Sequence, residues 1–188
     1  MNLFHRRICS SAKWARQAED SIIPWTLDGL DLGEDVLELG PGFAATTRVL
    51  ARRPGRLTAV EIDADSARGL AEELGSRVRA VHADATAMPL PDSTFSAAVC
   101  FTMLHHVPSP QLQDRVFAEA VRVIRPGGVF AGSDSQPSLR MWLIHIGDTL
   151  VPVPPGTLAT RLQAAGLVDV QVDSRPGRMR FRGVKPAA

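Results

Sequence analysis

The stretch Asp35-Val36-Leu37-Glu38-Leu39-Gly40-Pro41-Gly42-Phe43-Ala44 constrains the fold most. It is an apolar run that meets two glycines and then, past Thr46 and Thr47, a helical pattern with Val49 and Leu50 on its apolar side. The order is strand, turn, helix. Gly40 and Gly42 let the backbone turn sharply and approach a ligand more closely than a Cβ would permit. The helix that follows aims its free N–H groups at that ligand. Glu38 points a carboxylate at the same space, which repels a phosphate and holds an ammonium group.

A second apolar run, residues 57–60, ends in Glu61-Ile62-Asp63, and Glu61 follows Gly40 by 21 residues (61 minus 40). That is near the separation of about 20 at which an acid meets a ribose hydroxyl pair in nucleoside-binding α/β folds. A third run, residues 81–90, places Asp84 at a strand end from which it reaches an adenine amino group.

With 188 residues, 45% of them hydrophobic and 22% charged, the chain suffices for one α/β domain, residues 1–188, and is too short for two. A net charge of +1 creates no field favouring nucleic acid or an acidic membrane. Cys9 and Cys100 lack C-x-x-C spacing, so free thiols in a reducing cytoplasm are expected. Residues 1–13 hold no signal-peptide run, and residues 139–153 are too short and too interrupted by Arg140, His145 and Asp148 to span a bilayer. These features predict a cytoplasmic monomer or homodimer with no nucleic-acid partner and no membrane span.

Residues 10–30 read as a helix carrying Trp14, Ala18, Ile22 and Trp25, broken or bent at Pro24. Residues 1–30 then form a helical cover outside the core. Helices are expected up to about Arg52 and over residues 64–74, 111–124 and 157–165, and strands over residues 77–81, 95–101, 129–133, 168–173 and 179–184. Alternation of strand and helix predicts a parallel sheet with helices on both faces, and the closely linked last two strands must be antiparallel. Arg125-Pro126-Gly127-Gly128 reads as a sharp turn before the fifth strand. Residues 136–156 read as irregular or partly helical, a lid or substrate-pocket insert.

These motifs resemble the class I, Rossmann-like S-adenosylmethionine-dependent methyltransferases, and among them the small-molecule branch that includes quinone-biosynthesis methyltransferases. The carriers are Leu37–Gly42, Ala59–Asp63, His82–Ala85 with Leu90-Pro91, Phe101–Val107 and Arg125–Gly128. The likeness is strong over residues 32–133. Its family has a third glycine where this chain has Ala44. The resemblance implies a single-domain Rossmann-like sandwich with a mostly parallel seven-stranded sheet and one antiparallel strand near the C-terminus. It implies S-adenosylmethionine as cofactor and S-adenosylhomocysteine as product. Glu38, Gly40, Pro41, Gly42, Glu61, Ile62, Asp84, Ala85 and Phe101 are the implied cofactor residues.

The acceptor expected is a small, partly apolar metabolite methylated on oxygen, with carbon second, since Trp142, Leu143, Ile144 and Ile146 bring apolar character to the insert. His105 and His106 follow the fourth strand, where imidazole suits proton removal near neutral pH, and Asp134 can orient one of them. The two neighbouring histidine side chains are expected to diverge. No metal site is expected, because no histidine has a Cys or carboxylate partner at ligand spacing. Two alternatives stay open. One is an NAD(P)-dependent oxidoreductase, since Gly40-x-Gly42-x-x-Ala45 fits its glycine pattern, although Glu38 opposes a pyrophosphate and the chain has no Tyr. The other is a methyltransferase-like cofactor-binding protein without activity.

Overall fold

The computed structural model describes residues 2–187, so Met1 and Ala188 of the expected 1–188 domain lie outside the described residues. Strands β1 (Asp35–Leu39), β2 (Arg56–Glu61), β3 (Val78–His82), β4 (Phe95–Phe101), β5 (Ile124–Ser135), β6 (Val168–Arg175) and β7 (Arg178–Val184) form one sheet of order β3-β2-β1-β4-β5-β7-β6. The pairs β3–β2, β2–β1, β1–β4 and β4–β5 are parallel, and β7 runs antiparallel to both β5 and β6. This is the mostly parallel seven-stranded sheet with one antiparallel strand that the resemblance implies.

Burial on both faces accounts for the continuous apolar runs. Every residue of β4 is buried. Side chains alternate along it: Ala98 and Cys100 join Leu37, Phe117, Phe130 and Phe181 in one core, whereas Ala97, Val99 and Phe101 join Val36, Leu57, Ala59 and Leu70 in the other. Helices α5 (Ala64–Leu74), capped by the Asp63 carboxylate on Ser66 N–H, and α6 (Pro110–Val123), capped by Ser109 with Pro110 in its first turn, begin just beyond β2 and β4. Helices α4 (Ala45–Leu50) and α8 (Pro155–Ala164) complete the layers.

Two local expectations are corrected. The N-terminal helix is divided: α1 spans Leu3–Cys9 and α2 spans Ala12–Gln17, separated where Ser11 caps α2 by accepting Trp14 N–H. A π-helical turn over Ala18–Ile22 then leads without a break into α3 (Ile23–Thr26), and Pro24 follows that wider turn directly. Arg125–Gly128 lies inside β5 as an irregularity in its register with β4, anchored by Gly127 N–H to Lys185 O at 2.9 Å. The insert at residues 136–156 is partly helical, as expected, through α7 (Leu139–Ile144).

Candidate active site

The carboxyl ends of the parallel strands surround a cavity of about 580 Å³. Gly40, Pro41 and Gly42 line it after β1, Glu61 and Ile62 after β2, Asp84 and Ala85 after β3, and Phe101 with Thr102 and Met103 after β4. These loops gather there because every parallel strand ends on the same edge. Helix α6 fixes the loop after β3: Arg122 donates to Met88 O at 3.0 Å and Leu90 O at 2.7 Å, while Glu119 accepts Met88 N–H at 2.7 Å.

Glu61 is buried, yet its carboxylate lines the cavity. One oxygen accepts Gly42 N–H at 2.9 Å and the other Asp63 N–H at 3.0 Å, which fixes the carboxylate while leaving each oxygen a lone pair. Asp84 is pinned by Thr86 N–H at 2.8 Å. Ile62 is 66% exposed on the cavity rim, an apolar surface that the protein itself does not cover. Gly40 and Gly42 have φ of +65° and +54°. Ala44, where the resembled family has its third glycine, also adopts the left-handed region, with φ +62°.

Glu38 does not line the cavity, contrary to the expectation that it faces the ligand. It shares the strand face of Val36, beneath the start of α4, and is fully buried. Thr46, which does line the cavity, donates to Glu38 Oε1 at 2.5 Å. The other oxygen, Oε2, has no partner among the described residues. Burial pushes this carboxyl up to about 7, with Glu61 adding to the shift and the Thr46 bond opposing it.

His105 and His106 occupy one 3-10 turn, Leu104–His106, and their rings approach to 4.2 Å instead of diverging, since such a turn rotates neighbours by less than an extended chain does. They differ in surroundings. His106 lines the cavity, whereas His105 is buried behind it and bonds through Nδ1 and backbone N–H to the Asp134 carboxylate. Burial first, and then the neighbouring histidines, push His106 down to about 3, so it is a neutral ring with little appetite for a proton at neutral pH. Burial likewise lowers His5 and His145.

Several cavity residues escaped the sequence reading. Arg6, Cys9 and Trp14 reach it from α1 and α2, and Asp148 and Thr149 from the insert. Trp25 does not; it is core, covered by the Arg175 and Arg180 guanidinium groups at 4.9 and 5.4 Å from its ring. Trp142, Leu143, Ile144 and Ile146 are absent from the cavity wall, and all but Ile144 are largely exposed. The periodicity of Ser10–Leu30 marks Trp14 without telling core from cavity, and nothing local marks Arg6 or Asp148 as lining it. Burial pushes the Cys9 thiol up to about 11, which leaves it a poor nucleophile.

A methyltransferase-domain family model matches residues 37–132, just over half of the chain. The chain belongs to this family. It is a class I, S-adenosylmethionine-dependent member, and S-adenosylmethionine is its cofactor, so the oxidoreductase alternative falls. Relatives in the family include ribosomal RNA small subunit methyltransferase A of Synechococcus sp. (strain WH7803), 32% identical over 76% of this chain and 59% of that protein. Another is erythromycin 3''-O-methyltransferase of Saccharopolyspora erythraea, 29% identical over 78% of this chain and 54% of that protein. The chain thus spans about half the length of these curated relatives. A solved S-adenosylmethionine-dependent methyltransferase from Methanosarcina mazei shares the fold, with a TM-score of 0.68 and 18% identity over 85% of this chain and 95% of that one. No helix among the described residues is long and apolar enough to cross a membrane.

Proposed function

We propose that the chain transfers the methyl group of S-adenosylmethionine to an oxygen, with carbon as second choice, of a small and partly apolar acceptor. The observation that carries this reading is that the glycine loop, Glu61, Asp84 and His106 all line one cavity. Glu61 takes the ribose hydroxyls, Asp84 and Ala85 the adenine edge, and Ile62 and Phe101 its faces. Gly40, Pro41 and Gly42 pass beneath the sulfonium end. Glu38 acts on the amino group through Thr46 or a water, and Arg6 complements the carboxylate. Residues 1–30 cover this cofactor, and residues 136–156 wall the acceptor end. Bound S-adenosylmethionine would supply a methyl carbon open to attack by an acceptor lone pair as the C–S bond electrons pass to sulfur, and the acceptor proton would pass to solvent water.

Placement dominates this chemistry, because a near-attack pose is worth about 7 to 11 kcal/mol. A positioned proton acceptor contributes roughly 10²- to 10⁴-fold. His106 therefore orients the acceptor as a neutral hydrogen-bond partner, and His105 with Asp134 positions His106 from behind. The 32% identity to a ribosomal RNA methyltransferase favours a second reading, transfer to an RNA base. One experiment separates them: purified protein with methyl-labelled S-adenosylmethionine and cell extract, fractionated into metabolites and RNA. Label in a small metabolite is expected. Label in RNA replaces this reading with the second, and calorimetric cofactor binding with no label anywhere establishes the inactive binding protein.

A further inference from the structure

His5, His106 and His145 come from α1, the turn after β4 and the end of α7, and one ring nitrogen of each lies within 4.8 Å of the other two. The convergence is built. Asn2 caps α1 by accepting His5 N–H at 2.8 Å, and the same side chain donates to Ile144 O at 2.9 Å and Ile146 O at 3.0 Å, holding His5 against His145. The insert is tied to the histidine turn by Val151 N–H on His105 O at 2.8 Å.

Hydrogen bonding fixes two tautomers. His5 Nδ1 faces Asp148 Oδ2 at 3.1 Å, and His145 Nδ1 faces Met141 O at 2.7 Å. A carboxylate and a carbonyl only accept, so Nδ1 carries the proton in both rings and Nε2 is left with a lone pair. His145 Nε2 is buried and has no partner among the described residues, an arrangement that costs about 1–3 kcal/mol if nothing fills it. Imidazoles whose second nitrogen is held by a carboxylate or a backbone carbonyl are the usual supports of a metal centre.

We propose that His5, His106 and His145 bind one divalent late first-row metal ion, with zinc as the fitting example. Three imidazoles suit such an ion, whereas magnesium and calcium require oxygen ligands. Tetrahedral Zn–N bonds of about 2.0–2.1 Å bring nitrogens to about 3.4 Å apart, so separations that lie within 4.8 Å need shrink by at most about 1.4 Å. Three protein ligands leave a fourth position, and His106 and Asp148 line the cavity, so that position opens towards it. Its occupant is the oxygen of the methyl acceptor, a placement that rests on the reading under Proposed function.

Tag-free protein stripped by a chelator and titrated with Zn2+ or Co2+ tests the site. The expected result is one equivalent per chain, a visible spectrum of four- or five-coordinate cobalt, and a change in that spectrum on adding azide to the open position. His5→Gln and His106→Gln each weaken binding by at least about tenfold, and Asp148→Asn by about 10- to 100-fold. Far-UV circular dichroism of His5→Gln, with retained S-adenosylmethionine binding, separates lost ligation from lost folding. Absence of stoichiometric metal, or binding indifferent to both histidine variants, overturns the site, as it would if only a water bridged the rings. An azide-silent cobalt spectrum overturns the open position. Label transfer that survives chelation overturns the acceptor placement, whereas absence of transfer from both metal-loaded and stripped protein counts against the methyl-transfer reading and leaves the titration to decide the metal.

Discussion

The Glu61 carboxylate accepts the Gly42 N–H at 2.9 Å, so the acid after β2 and the loop after β1 form one rigid wall of the cavity. Hydrogen bonds to a charged group contribute about 1.5–3 kcal/mol each, and Glu61 has two lone pairs to offer a ribose. Glu61→Ala is expected to weaken S-adenosylhomocysteine binding on the order of 100-fold. Glu61→Gln, which keeps one acceptor oxygen, should lose on the order of tenfold. Calorimetry measures both, and equal affinity in all three proteins would place the ribose elsewhere.

Two glycines of one loop should fail in different ways. A Cβ on Gly40 would lie 2.9 Å from Met103 Cβ, whereas one on Gly42 would meet nothing within 4 Å. Left-handed backbone costs a side chain about 1–2 kcal/mol at either position. With about 2–4 °C of melting temperature per kcal/mol in a chain of this size, Gly42→Ala should melt only a few degrees lower and lose cofactor affinity about tenfold. Gly40→Ala adds the Met103 collision and should show the larger melting loss. Thermal unfolding with and without S-adenosylhomocysteine distinguishes the two.

The succession of strands and helices along the chain and most of the cavity wall were legible because their signals are local: glycines at a strand end, an acid at fixed spacing, and apolar runs of strand length. Arg125–Gly128 misled because Pro-Gly-Gly marks a turn and a strand irregularity alike, and only pairing with β4 and Lys185 decides between them. The glycine motif points Glu38 at the ligand space, whereas the parity of β1 sends it beneath α4. The histidine cluster was invisible for a different reason. His5, His106 and His145 share no motif, and their meeting depends on Asn2 reaching across to residues 144 and 146.

Asp134 is 1% exposed and satisfied entirely as an acceptor: Oδ2 takes His105 N–H at 3.0 Å, and Oδ1 takes Ser135 N–H at 2.6 Å along with His105 Nδ1. In Asp134→Asn, either amide orientation turns an NH2 towards a donor, at a cost of about 1–3 kcal/mol. The variant should melt roughly 2–12 °C lower by the same size scaling. Because Asp134 does not line the cavity, cofactor affinity should hold while turnover falls. A variant that loses cofactor affinity as well would place Asp134 in cofactor binding.

Glu38 makes the ligand-free protein's stability depend on pH in the direction opposite to an ordinary ion-paired acid. Burial raises its folded pKa from 4.5 to about 7, so between those values the folded state binds more protons than the unfolded one. Stability therefore falls as pH rises through that window and levels off above it, by about 2 to 3 kcal/mol between pH 5 and pH 8. Other groups titrate in the same range, and the comparison with Glu38→Gln isolates this one: the neutral amide resembles the protonated acid, so the two proteins should have similar stability at pH 5. At pH 8 the variant should be the more stable by about 2 to 3 kcal/mol. Urea unfolding at the two pH values measures the difference, and parallel curves for the two proteins would mean that Glu38 is not desolvated as its place beneath α4 requires.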